Sequence, residues 1–307
     1  MDQSPEDNRY RQAIDEGTQA LISPGPLDSD DCMQVNRIRI GGYTGRLLSG
    51  YNTPAIVEDL RRLFTEKWSE GTIVARAESR EVHCCVIGQD EVVYLKRYYV
   101  TGIKPFLRTV LRVNKAQKAW RTGRWLCQKG VDTPLPIALF KCYPFSFSSE
   151  FVCITKGLTD AVDLYRAVLQ VKGKHPNQQK KKRCLIVAVA TFVARLHNYN
   201  IYHGDFSADN ILVRGNREMQ DIRVYLIDLD AVRTSYWISE RRRVKNLEEL
   251  GRNFLDLGTI SIADRVRFLK VYMLHYTRNK DSLRQLFRKV QQRTALRLVR
   301  FGQSFDR

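Results

Sequence analysis

Three side chains stand in the order that phosphoryl transfer requires. In His203-Gly204-Asp205-Phe206-Ser207-Ala208-Asp209-Asn210, an asparagine follows the aspartate of an H-x-D loop after five positions, and eighteen positions later Asp228 closes the apolar run Tyr225-Leu226-Ile227. Moving a phosphoryl group calls for a carboxylate that orients the attacking hydroxyl and accepts its proton. It also calls for oxygen ligands that hold Mg2+ on nucleotide phosphates. Asp205, on a tight loop, suits the first task. Asn210 and Asp228, at the start and end of two antiparallel strands, suit the second, and His203 would pack under the loop and hydrogen-bond it. Asp, Asn and Gly are also common turn residues, so a lone H-x-D says little. The full set, with Asn210-Ile211-Leu212-Val213 and Leu226-Ile227-Asp228, is far more specific. Asp230 suits a loop cap and a metal ligand equally.

A nucleotide also needs a cation on its α- and β-phosphates. Val92-Val93-Tyr94-Leu95-Lys96 reads as a strand that ends in a lysine. Alternation puts Val92, Tyr94 and Lys96 on one face and Val93 and Leu95 on the other. A lysine at a strand end is ordinarily just solvated; its place upstream of the H-x-D set makes Lys96 the candidate. No G-x-G-x-x-G precedes it. Residues 71–81 contain one glycine, with Ser79 and Arg80 at the expected turn as the candidates over the phosphates.

The elements that must position these groups are partly visible. Residues 1–33 are acidic and broken by Pro24-Gly25-Pro26, which predicts a loose leader. Ile56, Leu60, Leu63 and Phe64 share one helical face over 54–67. Short strands are expected over 71–76, 82–87 and 92–99, the last two joined by a turn at Gly88-Gln89-Asp90. The stretch 104–130 reads as helical and stops at Gly130, with Pro134 and Pro136 in a following loop. A strand is expected over 151–155, a basic loop over 172–183, an apolar helix over 185–196, strands over 211–213 and 224–227, and helices from Leu247 onward. Strands first and helices later predict an α+β, bilobal arrangement: a strand-rich N-lobe over 34–157 and a mainly helical C-lobe over 158–307.

Composition narrows the partners. The 307 residues carry 51 Lys+Arg against 33 Asp+Glu, a net charge of +18, which points to an anionic partner such as nucleic acid, an acidic membrane face or a phosphorylated substrate. The seven cysteines are scattered with no C-x-x-C, as expected of reduced thiols rather than a disulfide framework. The polar, acidic start does not read as a secretion signal. The run 184–194 is too short to span a bilayer, so membrane contact would be peripheral.

The chain resembles the lipopolysaccharide kinase family, the Kdo and heptose kinases of Gram-negative bacteria. The likeness runs over about 70–275, through Tyr94-Leu95-Lys96-Arg97-Tyr98, Gly130-Val131-Asp132-Thr133-Pro134, Leu196-His197, His203-Gly204-Asp205, Ile227-Asp228-Leu229-Asp230, Lys245-Asn246-Leu247 and Ala263-Asp264-Arg265-Val266-Arg267-Phe268-Leu269. The resemblance implies a protein-kinase-like fold and transfer of the ATP γ-phosphate to a sugar hydroxyl, heptose or Kdo, of the lipopolysaccharide inner core. It implies Asp205 as base, Lys96 on the α/β-phosphates, and Asn210 and Asp228 on Mg2+. It also implies a cytoplasmic protein held peripherally on the anionic inner-membrane leaflet, with lipopolysaccharide core or a lipid A precursor as partner and no nucleic acid. Arg241, Arg242 and Arg243, after the metal strand, are the candidate contacts for acceptor phosphate or carboxylate groups. Relatives carry an acid before a tryptophan on the helix after the lysine strand. Here Ala119 precedes Trp120 and no Asp or Glu occurs between Glu91 and Asp132, so a partner for Lys96 must be Gln117 or an acid from elsewhere. That departure keeps a pseudokinase as an alternative, beside an aminoglycoside-type small-molecule phosphotransferase.

Overall fold

The computed structural model describes residues 33–66, 72–77, 79–103, 106, 114–143, 148–216, 218–219, 221–255, 258–278 and 280–302. The leader expected over 1–33 lies almost wholly outside them. The chain forms two compact units: a strand-rich one over 25–160 that also includes 228–230, and a helical one that includes 161–227 and 231–307.

The strand-rich unit is built on one antiparallel sheet. Its strands are β1 (Val35–Ile40), β2 (Tyr43–Leu48), β3 (Thr72–Ala77), β4 (Arg80–Ile87), β5 (Glu91–Thr101), β6 (Pro136–Cys142) and β7 (Ser148–Lys156), in the order β1-β2-β6-β7-β5-β4-β3. Helix α1 (Pro54–Thr65) follows β2. Pro54 sits at its first turn, and the Thr53 side chain accepts from the Ile56 N–H. Its buried Leu60, Leu63 and Phe64 join Val93, Leu95, Ile137, Phe140 and Ile154 in the main core of this unit. Each contributes about 2 kcal/mol by leaving water. The alternation read along β5 is borne out: Val93 and Leu95 are buried in this core, while Val92, Tyr94 and Lys96 are half-buried.

Helix α2 (Lys115–Gln128) is shorter than the expected 104–130. Asn114 is extended and caps it, accepting from the Gln117 N–H at 2.8 Å while the Gln117 side chain accepts from the Asn114 N–H. Most of 104–113 lies outside the described residues. Gly130 ends the segment with φ of 65°, the left-handed geometry that glycine adopts without a steric penalty. The expected loop at Pro136 is instead β6, an interior strand between β2 and β7. Pro136 is its first residue, a place where the missing N–H costs no ladder bond. Strands β1 and β2 had no counterpart in the sequence reading.

The helical unit holds β8 (Val162–Asp163), α3 (Leu164–Gln170), α4 (Pro176–Asn198), β9 (Ile201–His203), β10 (Ile211–Arg214), β11 (Arg223–Leu226), β12 (Val232–Thr234), α5 (Glu240–Arg252), α6 (Ile262–His275) and α7 (Leu283–Gly302). The basic stretch 172–183 is not a loop throughout, because α4 begins at Pro176 and runs unbroken into the apolar segment. Lysines hide that helix from a periodicity reading, yet Lys182 is buried and its ammonium meets Asp264 at 2.8 Å. Helix α5 likewise starts before Leu247, at Glu240, with the Ser239 hydroxyl accepting from the Arg242 N–H. Helix α4 packs on α6, and α5 packs on α7.

Candidate active site

The expected catalytic loop leaves β9 and is pinned at its root. The His203 N–H donates to the Asn246 side-chain oxygen at 3.2 Å, and the Asn246 amide donates to the His203 carbonyl at 2.7 Å. One buried asparagine from α5 thus satisfies both backbone groups of His203 as a paired strand would. The His203 imidazole is buried, and its Nδ1 lies 2.7 Å from the Asp205 carbonyl oxygen. The ring thus lies against the loop backbone. Further along, the Ala208 N–H donates to the Asn253 side chain at 2.6 Å.

These bonds hold the backbone and leave Asp205 exposed at the tip, its carboxylate taking a long bond from the Asn210 amide at 3.4 Å. The Asn210 amide nitrogen donates to the Asp205 carbonyl at 2.9 Å and to the Ser207 hydroxyl at 3.1 Å. That arrangement leaves the Asn210 side-chain oxygen as the atom for a hard cation. Strand β10 pairs with β11 from Ile211 opposite Leu226, and the Ile227 N–H donates to the Asn210 carbonyl at 3.0 Å.

Lys96, Arg80 and Asp228 come together in the strand-rich unit. The Lys96 ammonium is bonded to the Asp228 carboxylate and lies 3.8 Å from that of Asp230; Arg80 lies 3.5 Å from Asp228. Asp228 has φ of 57°, a backbone state that costs a non-glycine residue about 1 kcal/mol or more. Burial pushes the Asp228 carboxyl up, but Lys96, the hydrogen bond with Asp230 and Arg80 outweigh it and hold the group below the usual carboxylate range. Burial and the neighbouring Asp228 charge raise Asp230 despite Lys96. An ionised carboxylate such as Asp228 and an amide oxygen such as that of Asn210 are each hard donors of the kind Mg2+ prefers.

Helix α2 supports this cluster without supplying an acid. Gln117 is occupied in the helix cap and does not partner Lys96. Instead Lys118 donates to the Asp230 carbonyl at 2.6 Å. Gly123 lets the helix approach closely: a Cβ there would stand 3.1 Å from both Leu229 and Pro136. Sequence reasoning missed Lys118, Asn253 and the role of Asn246. Asn246 lay within a quoted motif, but its partner is 43 residues away and no local pattern reveals it.

Other expected residues stand differently. Ser79 lies in the β3–β4 turn, where its carbonyl accepts from the Tyr99 N–H at 3.0 Å. Arg243 is not an acceptor contact: it is 4% exposed, bonded to Asp281 at 2.5 Å and stacked on Tyr276. Arg242 lies over the Tyr202 ring at 5.5 Å, and Arg241 is exposed. Part of the cationic surface is neutralised as well. Lys181 meets Glu218, and Arg293 and Arg297 approach the buried Glu248. The six described cysteines are free thiols, and no described helix is long and apolar enough to cross a membrane.

Residues 66–272 match the model of the lipopolysaccharide kinase (Kdo/WaaP) family. The chain belongs to this family. It is 29% identical over 171 residues to the lipopolysaccharide core heptose(I) kinase WaaP of Pseudomonas aeruginosa, covering 55% of this chain and 63% of that protein. It is 28% identical over 188 residues to the WaaP of Escherichia coli K12, covering 58% and 69%. The chain thus spans just under two thirds of the length of the first relative. A solved structure of WaaP in complex with acyl carrier protein superposes with a TM-score of 0.55 at 22% identity, covering 73% of this chain and 88% of that one. The fold is the expected α+β one, shared with that WaaP structure.

Proposed function

We propose that this chain is an ATP-dependent kinase that phosphorylates a sugar hydroxyl, heptose or Kdo, of the lipopolysaccharide inner core. The observation that carries the reading is the exposed Asp205 carboxylate on a loop whose backbone is clamped by His203, Asn246 and Asn210. A base held this way loses little freedom when a hydroxyl docks against it. The names of the curated relatives point to the same acceptor.

Each residue then has a task. Asp205 orients the acceptor hydroxyl and accepts its proton. Asn210 fixes the loop through its amide nitrogen and offers its oxygen to the cation. Asp228, kept ionised, is the carboxylate ligand, and Lys96 holds the α- and β-phosphates with Arg80 and the Ser79 turn beside them. When bound, ATP supplies the phosphoryl group and Mg2+ neutralises the charge on its oxygens. Asp228 and Asp230 take the place of the acid absent from α2, which supports turnover over a pseudokinase that binds nucleotide without transfer. An ATP-consuming, basic protein acting on a lipid-borne core fits the cytoplasmic face of the inner membrane, with peripheral contact to its anionic lipids.

The test is transfer of labelled γ-phosphate from Mg-ATP to dephosphorylated lipopolysaccharide. Label on the glycolipid is expected, falling by about 10²–10⁴-fold in Asp205→Ala with the fold intact. Near-normal turnover in that variant refutes the base assignment. Nucleotide binding with no label on any sugar acceptor refutes the kinase.

A further inference from the structure

The loop between β12 and α5 carries two adjacent aromatic side chains that face water. Tyr236 is 95% exposed and Trp237 71% exposed. Burying rings of this size is worth more than almost any other side-chain burial, so a pair left in solvent marks a contact surface.

The loop is held in place at both ends. The Ser235 hydroxyl donates to the Trp237 carbonyl at 2.7 Å, closing a tight turn. The next residue, Ile238, is buried, and its N–H donates to the Asn200 side-chain oxygen at 3.2 Å. That same oxygen accepts from Arg278 at 2.6 Å. The aromatic pair is therefore presented by a built turn with an exposed guanidinium at its base.

The charge around it is one-sided. Arg233, Arg241 and Arg278 are exposed, and Arg242 is half-buried beside Tyr202. The only acid over 231–243 is Glu240, which is bonded to Lys289. Strand register separates this face from the chemistry. Val232 pairs with His203, Arg233 with Tyr202 and Thr234 with Ile201, so the chain leaving β12 runs away from Gly204 and Asp205 toward Asn200.

From this we infer that Tyr236 and Trp237, rimmed by Arg233, Arg241 and Arg278, form the surface by which the protein sits on an anionic bilayer. Tyrosine and tryptophan favour the headgroup level, where the ring is partly buried and the polar edge stays wet. Each arginine adds electrostatic attraction to anionic lipid. The proposal rests on the kinase reading for its purpose, since a lipid-borne acceptor must be met at a membrane. Its test does not, because vesicle binding is read without ATP.

The experiment measures partition of the full chain onto phosphatidylglycerol-containing vesicles and onto phosphatidylcholine vesicles. Binding is expected to be at least about tenfold stronger to the anionic vesicles and to fall with added salt. Tyr236→Ala/Trp237→Ala should weaken it by about tenfold or more, and Arg233→Ala or Arg241→Ala by about fivefold each. Brominated lipids should quench tryptophan fluorescence of the unmodified protein, a readout that needs no variant. Turnover on a soluble, deacylated core oligosaccharide should not change in the double variant. Equal vesicle binding by the double variant, or no quenching by brominated lipid, overturns the proposal. Unchanged vesicle binding with lost turnover on the soluble oligosaccharide also overturns it and makes the pair a sugar contact instead.

Discussion

Lys96 gives its ammonium to the carboxylate of Asp228, a residue 132 positions further along the chain. With Ala119 before Trp120, the helix after the lysine strand offers no acid, and the 228–230 segment instead sets two carboxylates beside the lysine. Asp228 thereby serves as the lysine's partner as well as the candidate cation ligand.

Removing the lysine should therefore cost turnover. Lys96→Met is expected to lower kcat/KM for ATP by about 100-fold or more, as loss of a charge-stabilising group does in other active sites. Arg80→Ala should cost less, because Arg80 is more exposed and stands 3.5 Å from Asp228. Steady-state kinetics over a range of ATP concentrations checks both. Equal effects from the two would argue against Lys96 as the principal phosphate cation.

Asn246 carries the catalytic loop without being in it. Asn246→Ala strips partners from the buried N–H and C=O of His203 and should destabilise the fold by about 2–3 kcal/mol. Denaturant unfolding gives that number. At a temperature where the variant is folded, kcat should fall with KM for ATP nearly unchanged, since Lys96, the proposed nucleotide cation, lies on another element. A fall in ATP affinity alone would contradict the positioning role.

Burial also gives stability a pH dependence. His197 is fully buried, and burial pushes its pKa down to about 3, with Arg243 adding to the effect against a hydrogen bond with Asn246 that favours the protonated ring. An unfolded histidine titrates near 6.5, so between that pH and about 3 the unfolded chain binds a proton that the folded one refuses. Stability is therefore complete above about 6.5 and drops as pH falls, by up to about 1.4 kcal/mol per unit. Urea unfolding at pH 7.5, 6 and 5 should show the slope, and His197→Gln should flatten it.

Lys182 and Asp264 form a buried pair joining α4 to α6, with the Lys182 ammonium also donating to the Thr259 carbonyl at 3.3 Å. Lys182→Met should cost about 3 kcal/mol by leaving Asp264 short of a cation. Arg267, 2.9 Å from Asp264, limits the damage. A double-mutant cycle with Asp264→Asn should give a coupling above about 1 kcal/mol; additivity would mean the pair contributes nothing specific.

The parts legible in the sequence are those built by neighbours. The face Leu60-Leu63-Phe64, the alternation through Val93 and Leu95, the glycine stop at Gly130 and the two strands around Asn210 and Ile227 follow from spacing within a few residues. The parts that were misread depend on distant partners. Pro136–Cys142 becomes an interior strand only because β2 and β7 flank it. The lysine-rich start of α4 becomes a helix whose Lys182 is buried only because Asp264 waits 82 residues away. Arg243 looked like a surface cation until Asp281 and Tyr276 enclosed it.

The sequence alone determined which residue types could carry phosphoryl transfer and in what order, because a reacting group must have the right chemistry wherever it is placed. Its net charge of +18 also pointed to an anionic partner, because net charge is independent of fold. Only the tertiary structure decided how those groups are held: Asp228 and Asp230 as partners of Lys96, Asn246 as the clamp on His203, and Tyr236 and Trp237 as rings left in water. Pairing and burial depend on distances between elements far apart in the chain, and those are set by packing of the whole core.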